Sequence, residues 1–131
     1  MRLVVGGYAQ GKLHAVTRRL ADDQYEIFDG ILPDEEVTTR LEDDTIVIIY
    51  NLHRWVRERI KQNASPEEEI AEFVEKENNC IIISNETGNG IVPKDAFERE
   101  YRERTGKILV SLAEEADEVW RIICGIPQKI K

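Results

Sequence analysis

A chain of 131 residues, 41% hydrophobic and 34% charged, is long enough for one domain around one core and too apolar to be disordered. Its formal net charge of −8 disfavours nucleic acid or an anionic membrane as the main partner, because both select a positive surface. No apolar run approaches the roughly 20 residues that span a bilayer, and the short apolar start Met1–Gly7 reads as a strand rather than a signal peptide. Together these point to a cytoplasmic protein.

Strand and helix signals alternate along the chain. Leu3-Val4-Val5 reads as a first strand, Gly11 to about Leu20 as a helix, and Tyr25-Glu26-Ile27-Phe28 as a weaker strand closed by Asp29-Gly30. The stretch from Asp29 to Asp44 is acidic and irregular, with the start of a short helix at Asp34-Glu35-Glu36. Ile46-Val47-Ile48-Ile49-Tyr50 is a continuous β-branched run, as expected of a strand buried on both faces. Leu52, Trp55, Val56 and Ile60 then follow helical spacing. Ser65-Pro66-Glu67-Glu68 predicts a capping box with proline at the first helical position, and Ile70, Phe73 and Val74 supply that helix's apolar face. Cys80 to Ile83 is another buried strand. Lys94 to about Ala116 is a long helix with Phe97, Tyr101, Ile108 and Leu112 on one side, and Val119 to Cys124 is a last strand ended by Gly125-Ile126-Pro127. Such alternation predicts one α/β domain, residues 1–131, with a mostly parallel sheet and crossover helices. The two cysteines, Cys80 and Cys124, lie in or beside apolar runs and read as core residues of a reducing compartment. No His/Cys spacing fits a zinc site, so no metal ligand is assigned.

The first chemical signal follows the first strand. Gly6-Gly7-Tyr8-Ala9-Gln10-Gly11-Lys12-Leu13 matches G-x-x-x-x-G-K, the loop whose backbone N–H groups and helix N-terminus cradle phosphates while the lysine reaches the β/γ-phosphates. Leu13 stands where Ser or Thr normally binds Mg²⁺. The expectation is a phosphate-binding loop for ATP or GTP with an incomplete Mg²⁺ site; the plainer alternative is a glycine turn with no ligand. A second loop, Ser84-Asn85-Glu86-Thr87-Gly88-Asn89-Gly90-Ile91-Val92-Pro93, follows a buried strand at the edge where open α/β sheets bind ligands.

This second loop resembles that of the adenosylcobinamide kinase/adenosylcobinamide-phosphate guanylyltransferase family of cobalamin biosynthesis. The resemblance runs on through Arg99-Glu100-Tyr101-Arg102, Thr105-Gly106-Lys107 and Ala116-Asp117-Glu118-Val119-Trp120 to the ending Gly125–Lys131. It implies a RecA-like P-loop fold, a homotrimer, and transfer of phosphate and then a guanylyl group to a cobinamide-type corrinoid. It also implies substrate contacts from Asn85, Glu86, Gly88, Gly90, Arg99 and Arg102, with Lys12 and Glu86 in the chemistry. The chain departs from the family where chemistry is expected. Matching Trp55 to the family tryptophan puts Tyr50 at the metal-supporting Asp position, and Leu109 replaces a usual Asn. The segment Gly30 to Asp44, which in the family carries the guanylylated histidine, has none. Of the two histidines, His14 follows the phosphate loop, and His53 opens a helix at a strand's carboxyl end, where it is either a catalytic group or a partly solvated helix residue. Glu86 is either a substitute metal ligand or base, or a loop-organising carboxylate. Arg54, Arg57, Arg59 and Lys61 form a basic stretch that is either a phosphate-recognising or a solvated face. The favoured reading is a shortened family member; the alternative is a non-catalytic relative that binds nucleotide or corrinoid or supports a partner enzyme.

Overall fold

The computed structural model describes residues 1–86 and 94–131. The chain runs β1 (Arg2–Gly6), α1 (Lys12–Arg19), β2 (Tyr25–Asp29), α2 (Glu35–Thr39), β3 (Ile46–Tyr50), α3 (Leu52–Lys61), α4 (Pro66–Lys76), β4 (Cys80–Asn85), α5 (Ala96–Glu115), β5 (Glu118–Ile123) and β6 (Ile126–Lys129). These strands form one sheet in the order β2-β3-β4-β1-β5-β6. Every pairing is parallel except β5 with β6. This is the RecA-like P-loop plan.

The isoleucine-rich strands sit centrally because both of their faces are covered. In β3, Val47 and Ile49 join one core while Ile46 and Ile48 join the other; in β4, Cys80 and Ile82 face the first and Ile81 and Ile83 the second. The first core is closed by α3, α4 and α5 through residues such as Leu52, Val56, Ile70, Ile108 and Leu112. The second is closed by α1 through Ala15 and Val16. Helices therefore cover both faces, as the alternating pattern predicts. The weak strand β2 is an edge strand, and Tyr25 and Ile27 remain exposed on it.

Three local expectations are corrected, the first being that Cys124 is exposed rather than a core residue. Gly125 does end β5, but the chain then returns as β6. Cys124 and Gly125, at φ 51° and 75°, form a two-residue turn of the mirror type that matches strand twist. Pro127 is tolerated in β6 because the strand lies at the sheet edge. The capping box at Ser65 does not form. The Ser65 side chain caps nothing, and its backbone carbonyl accepts from the Glu68 and Glu69 amides. At φ −113° and ψ 79°, Ser65 lacks the extended geometry such a cap uses. Its neighbours are instead held by ion pairs: Arg104 bonds Glu67 at 2.6 and 2.9 Å, and Arg59 bonds Glu69 at 2.7 and 3.1 Å. These tie α4 to α5 and α3.

Because Ile82 is fully buried between β1 and β3, Ile82→Ala should cost about 2–5 kcal/mol of stability through lost transfer energy and the residual cavity. Ile27→Ala, on the exposed edge, should cost under about 1 kcal/mol. Urea denaturation of both variants checks the contrast.

Candidate functional site

The stretch Gly6–Leu13 leaves the carboxyl end of β1 and turns into α1. Two left-handed residues shape it, Ala9 at φ 55° and Gly11 at φ 77°. Gly6 is demanded by close packing, since a Cβ there would lie 2.7 Å from the Ile122 carbonyl oxygen and 3.3 Å from the Lys12 side chain. The loop is anchored to the β5–β6 turn: Gly125 N–H donates to the Gln10 carbonyl at 2.8 Å, and Cys124 N–H donates to Gln10 Oε1 at 2.6 Å. Tyr8, 85% exposed, stands at the tip. The first helical bond of α1 runs from Ala15 N–H to the Gly11 carbonyl, and Gly11 has no side chain to cap the amides before it. An uncapped helix N-terminus of this kind attracts anions.

Lys12 is 94% buried, being 6% exposed. Its Nζ donates to the Gly7 carbonyl and to Asn85 Oδ1, both at 2.7 Å. Burial lowers its pKa below the usual lysine value, and the negative charge of Glu86 opposes that shift. The contact with Asn85 exists because the sheet order sets β4 beside β1, with Gly6 opposite Asn85. The next residue continues the junction: Glu86 N–H donates to the Gly6 carbonyl at 2.9 Å. Its carboxylate takes two bonds from Arg121 of β5, at 2.5 and 3.1 Å. The Glu86 charge is thus engaged by a guanidinium and its backbone organises the loop junction.

His53, in the first turn of α3, reaches the same place. Asn85 N–H donates to His53 Nδ1 at 3.2 Å, which requires the proton of the neutral ring to sit on Nε2. Burial pushes the His53 pKa down to about 4, helped by the positive charges of Lys12, Arg54 and Arg57 and opposed by Asp29. The ring is therefore a neutral donor at neutral pH. Lys12, Asn85, Glu86 and His53, all named from sequence, come together at the carboxyl ends of β1 and β4.

Other expected residues stand apart. Leu13 and Tyr50 pack against the α1-side core, so the two positions where a metal ligand was expected carry apolar packing. Among the described residues no group of three or more His, Cys, Asp or Glu side chains is arranged to hold a metal ion. His14 is exposed on α1. The basic stretch of α3 is spent largely on ion pairs: Arg57 bonds Glu98 at 2.5 and 2.8 Å and lies over the Tyr101 ring, Arg59 bonds Glu69, and Lys61 pairs with Glu58. Arg99, in the first turn of α5, donates to the Lys94 carbonyl at 2.6 Å, and Arg102 follows one turn later. Gly88 and Gly90 lie outside the described residues.

Sequence reasoning missed three members of this edge. Arg121 is the partner of Glu86. Asp29 closes β2, and its Oδ1 accepts from Asn51 Nδ2 at 2.7 Å. Asn51, buried and at φ 58° and ψ 49°, links β3 to α3. The available signal was an Asp at the carboxyl end of a strand, followed by a glycine turn.

The lowered pKa of His53 has a consequence for stability. The unfolded chain takes up a proton near pH 6.5, whereas the folded ring resists protonation until about pH 4. Stability from this group is present above pH 6.5 and is lost as pH falls toward 4. NMR should show a neutral, Nε2-protonated ring at pH 6, and His53→Gln should flatten the fall in urea-unfolding stability across that window.

A family model described as "Cobinamide kinase / cobinamide phosphate guanyltransferase" matches residues 12–130. Among curated proteins, the chain is 43% identical over 51 residues to the bifunctional adenosylcobalamin biosynthesis protein CobU of Salmonella typhimurium, covering 39% of this chain and 28% of that protein. It is 41% identical over the same length to CobU of Escherichia coli, with the same coverage. It is 35% identical over 51 residues to the bifunctional adenosylcobalamin biosynthesis protein CobP of Pseudomonas aeruginosa, covering 39% of this chain and 30% of that protein. The matched segment thus spans under a third of the length of these relatives.

Proposed function

The chain belongs to the cobinamide kinase / cobinamide phosphate guanyltransferase family, and from that premise we propose that it binds a nucleoside triphosphate, ATP or GTP, and acts on a cobinamide-type corrinoid in cobalamin assembly or salvage. The observation that carries this reading is the buried Lys12 ammonium, held at the mouth of the glycine loop by the Gly7 carbonyl and Asn85 Oδ1. A buried cation costs free energy unless something compensates it. Here two neutral oxygens hold it, and a phosphate would supply the missing negative charge. The uncapped start of α1 lies beside this ammonium, and the neutral His53 is close enough to feel its charge.

In this reading the triphosphate lies along Gly7–Lys12, with Lys12 on its β/γ-phosphates. The corrinoid approaches across the carboxyl ends of β3 and β4, and the substrate contacts expected of Asn85, Glu86, Gly88, Gly90, Arg99 and Arg102 belong to that side. Arg121 neutralises Glu86, which favours the loop-organising role over a metal-binding one. Phosphorylation proceeds slowly, because Leu13 and Tyr50 supply no metal ligand where charge must be neutralised during phosphoryl transfer. Guanylyl transfer through a covalent histidine is absent. His53 Nδ1 is occupied by a backbone N–H, His14 is exposed on α1, and Gly30–Asp44 has no histidine. A second reading, a non-catalytic relative that binds nucleotide or corrinoid beside a partner enzyme, is favoured by the apolar packing of Leu13 and Tyr50. By the family premise the protein is a homotrimer.

Isothermal titration with ATP and GTP, with and without Mg²⁺, tests nucleotide binding. Affinity should change by less than about tenfold with Mg²⁺, and Lys12→Ala should weaken it by about 10- to 100-fold, the scale of one charge-assisted contact. A strict Mg²⁺ requirement would show that a carboxylate has replaced the lost ligands. Incubation with α-labelled GTP followed by denaturation should leave no label on the protein. Stoichiometric label that disappears in His53→Ala would restore the guanylyltransferase step. Light scattering at micromolar concentration should give a trimer, and a monomer would refute that assembly.

A further inference from the structure

The acceptor side of the cleft has a carboxylate of its own. The β5 side of the phosphate loop is closed by the bonds from Cys124 and Gly125 to Gln10 and by the Arg121–Glu86 pair. A second substrate must therefore approach the bound phosphates across β4, β3 and β2. Among the described residues on that edge, most carboxylates are committed. Glu86 takes two bonds from Arg121, Asp34 caps α2 through the Val37 amide, and Asp95 caps α5 through the Phe97 and Glu98 amides. Asp29 is different. Its Oδ1 accepts from Asn51 Nδ2, and Oδ2 accepts nothing among the described residues. The chain turns away immediately after it: Gly30, at φ 69°, donates its N–H to the Tyr50 carbonyl at 2.7 Å. Asp29 is thus left exposed at the strand end.

Asn51 is built to hold it. The residue is buried, sits in the left-handed region, and precedes α3 without using its side chain as a helix cap. A non-glycine residue in that conformation costs free energy, and the side chain spends its amide on Asp29 instead of on the helix. Distance also fits. Lys12 Nζ bonds Asn85 at the end of β4, while Asp29 pairs with Tyr50 and so lies two strands away and two residues short of Asn85 along the sheet, a backbone separation of about 12 Å. A hydrogen bond at each end of about 2.8 Å, one phosphoryl group, and a reacting oxygen about 3–3.5 Å from phosphorus account for about 10 Å of that separation, leaving the remainder to the two side chains.

Resting on the nucleotide-binding reading, we propose that Asp29, seated by Asn51, is the carboxylate that receives the hydroxyl of the phosphoryl acceptor, an alcohol borne by the corrinoid. In the step, the acceptor oxygen forms a bond to the γ-phosphorus of ATP while the bond from that phosphorus to the β–γ bridging oxygen breaks. The hydroxyl proton passes to Asp29, ADP leaves, and the product is a phosphate monoester. Asp29 is the catalytic residue and Asn51 its positioning residue.

The test uses the full chain, ATP and cobinamide. ATP affinity is measured by titration, and transfer by single-turnover incubation with γ-labelled ATP. Asp29→Asn keeps the shape and the bond from Asn51, and should retain ATP affinity within about twofold while slowing transfer by about 10²- to 10⁴-fold, the range of a general base. Asn51→Gly accepts the left-handed backbone without the side chain, so it should fold normally and lower kcat by about tenfold with KM for ATP unchanged. Transfer by Asp29→Asn at the wild-type rate overturns the proposal. Wild-type protein that binds ATP but transfers no label also overturns it while leaving nucleotide binding intact. Wild-type protein that binds no ATP overturns both.

Discussion

The buried ammonium of Lys12 is the constraint around which the carboxyl edge of the sheet is arranged. A charge taken out of water must be met by oxygen atoms close at hand. Here one comes from its own loop and one from a neighbouring strand, each at 2.7 Å. That second partner is available only because β4 is inserted between β1 and β3. Gly6 must lack a side chain for the same reason, because its Cβ would meet both the β5 backbone and the Lys12 stem. Strand order, glycine placement and lysine position are thus one packing solution.

The surrounding polar groups are organised by that arrangement. Asn85 serves two neighbours, accepting from Lys12 with its side chain and donating to His53 with its backbone. The histidine lies in the field of Lys12 and stays neutral, which avoids a second buried positive charge beside the first. Glu86 lies next along the chain and is balanced by Arg121 from the far side of β1. Three strands and two helices therefore contribute to a single hydrogen-bonded junction, in which the loss of one member would leave buried groups unsatisfied.

The same edge also carries packing and helix-tying contacts. Leu13 and Tyr50 add apolar surface to the α1-side core, and the basic residues of α3 are drawn into pairs with Glu98, Glu69 and Glu58 that lash the helices together. In a chain this small, apolar area of this kind counts toward a limited core. The fold needs the glycine loop and the lysine packing, and Leu13 adds apolar surface to the α1-side core.

The chain's own pattern determined most of the architecture. Continuous β-branched runs marked β3 and β4 as strands buried on both faces, helical spacing located α3 and α4, and the G-x-x-x-x-G-K spacing placed the loop between β1 and α1. These are local properties, set by periodicity over a few residues. What only the tertiary structure decided involves partners distant in sequence. The Lys12–Asn85 bond spans 73 residues, the Glu86–Arg121 pair 35, and the Asn51–Asp29 bond 22. The β6 return went unread because Cys124 adopts a left-handed conformation that cysteine seldom signals, and the Ser65 cap failed because the backbone there lacks the required angles. Asp29 looked like a turn residue in the sequence. It became part of the site only when parallel pairing set it beside Tyr50, within reach of an asparagine on the next strand's exit.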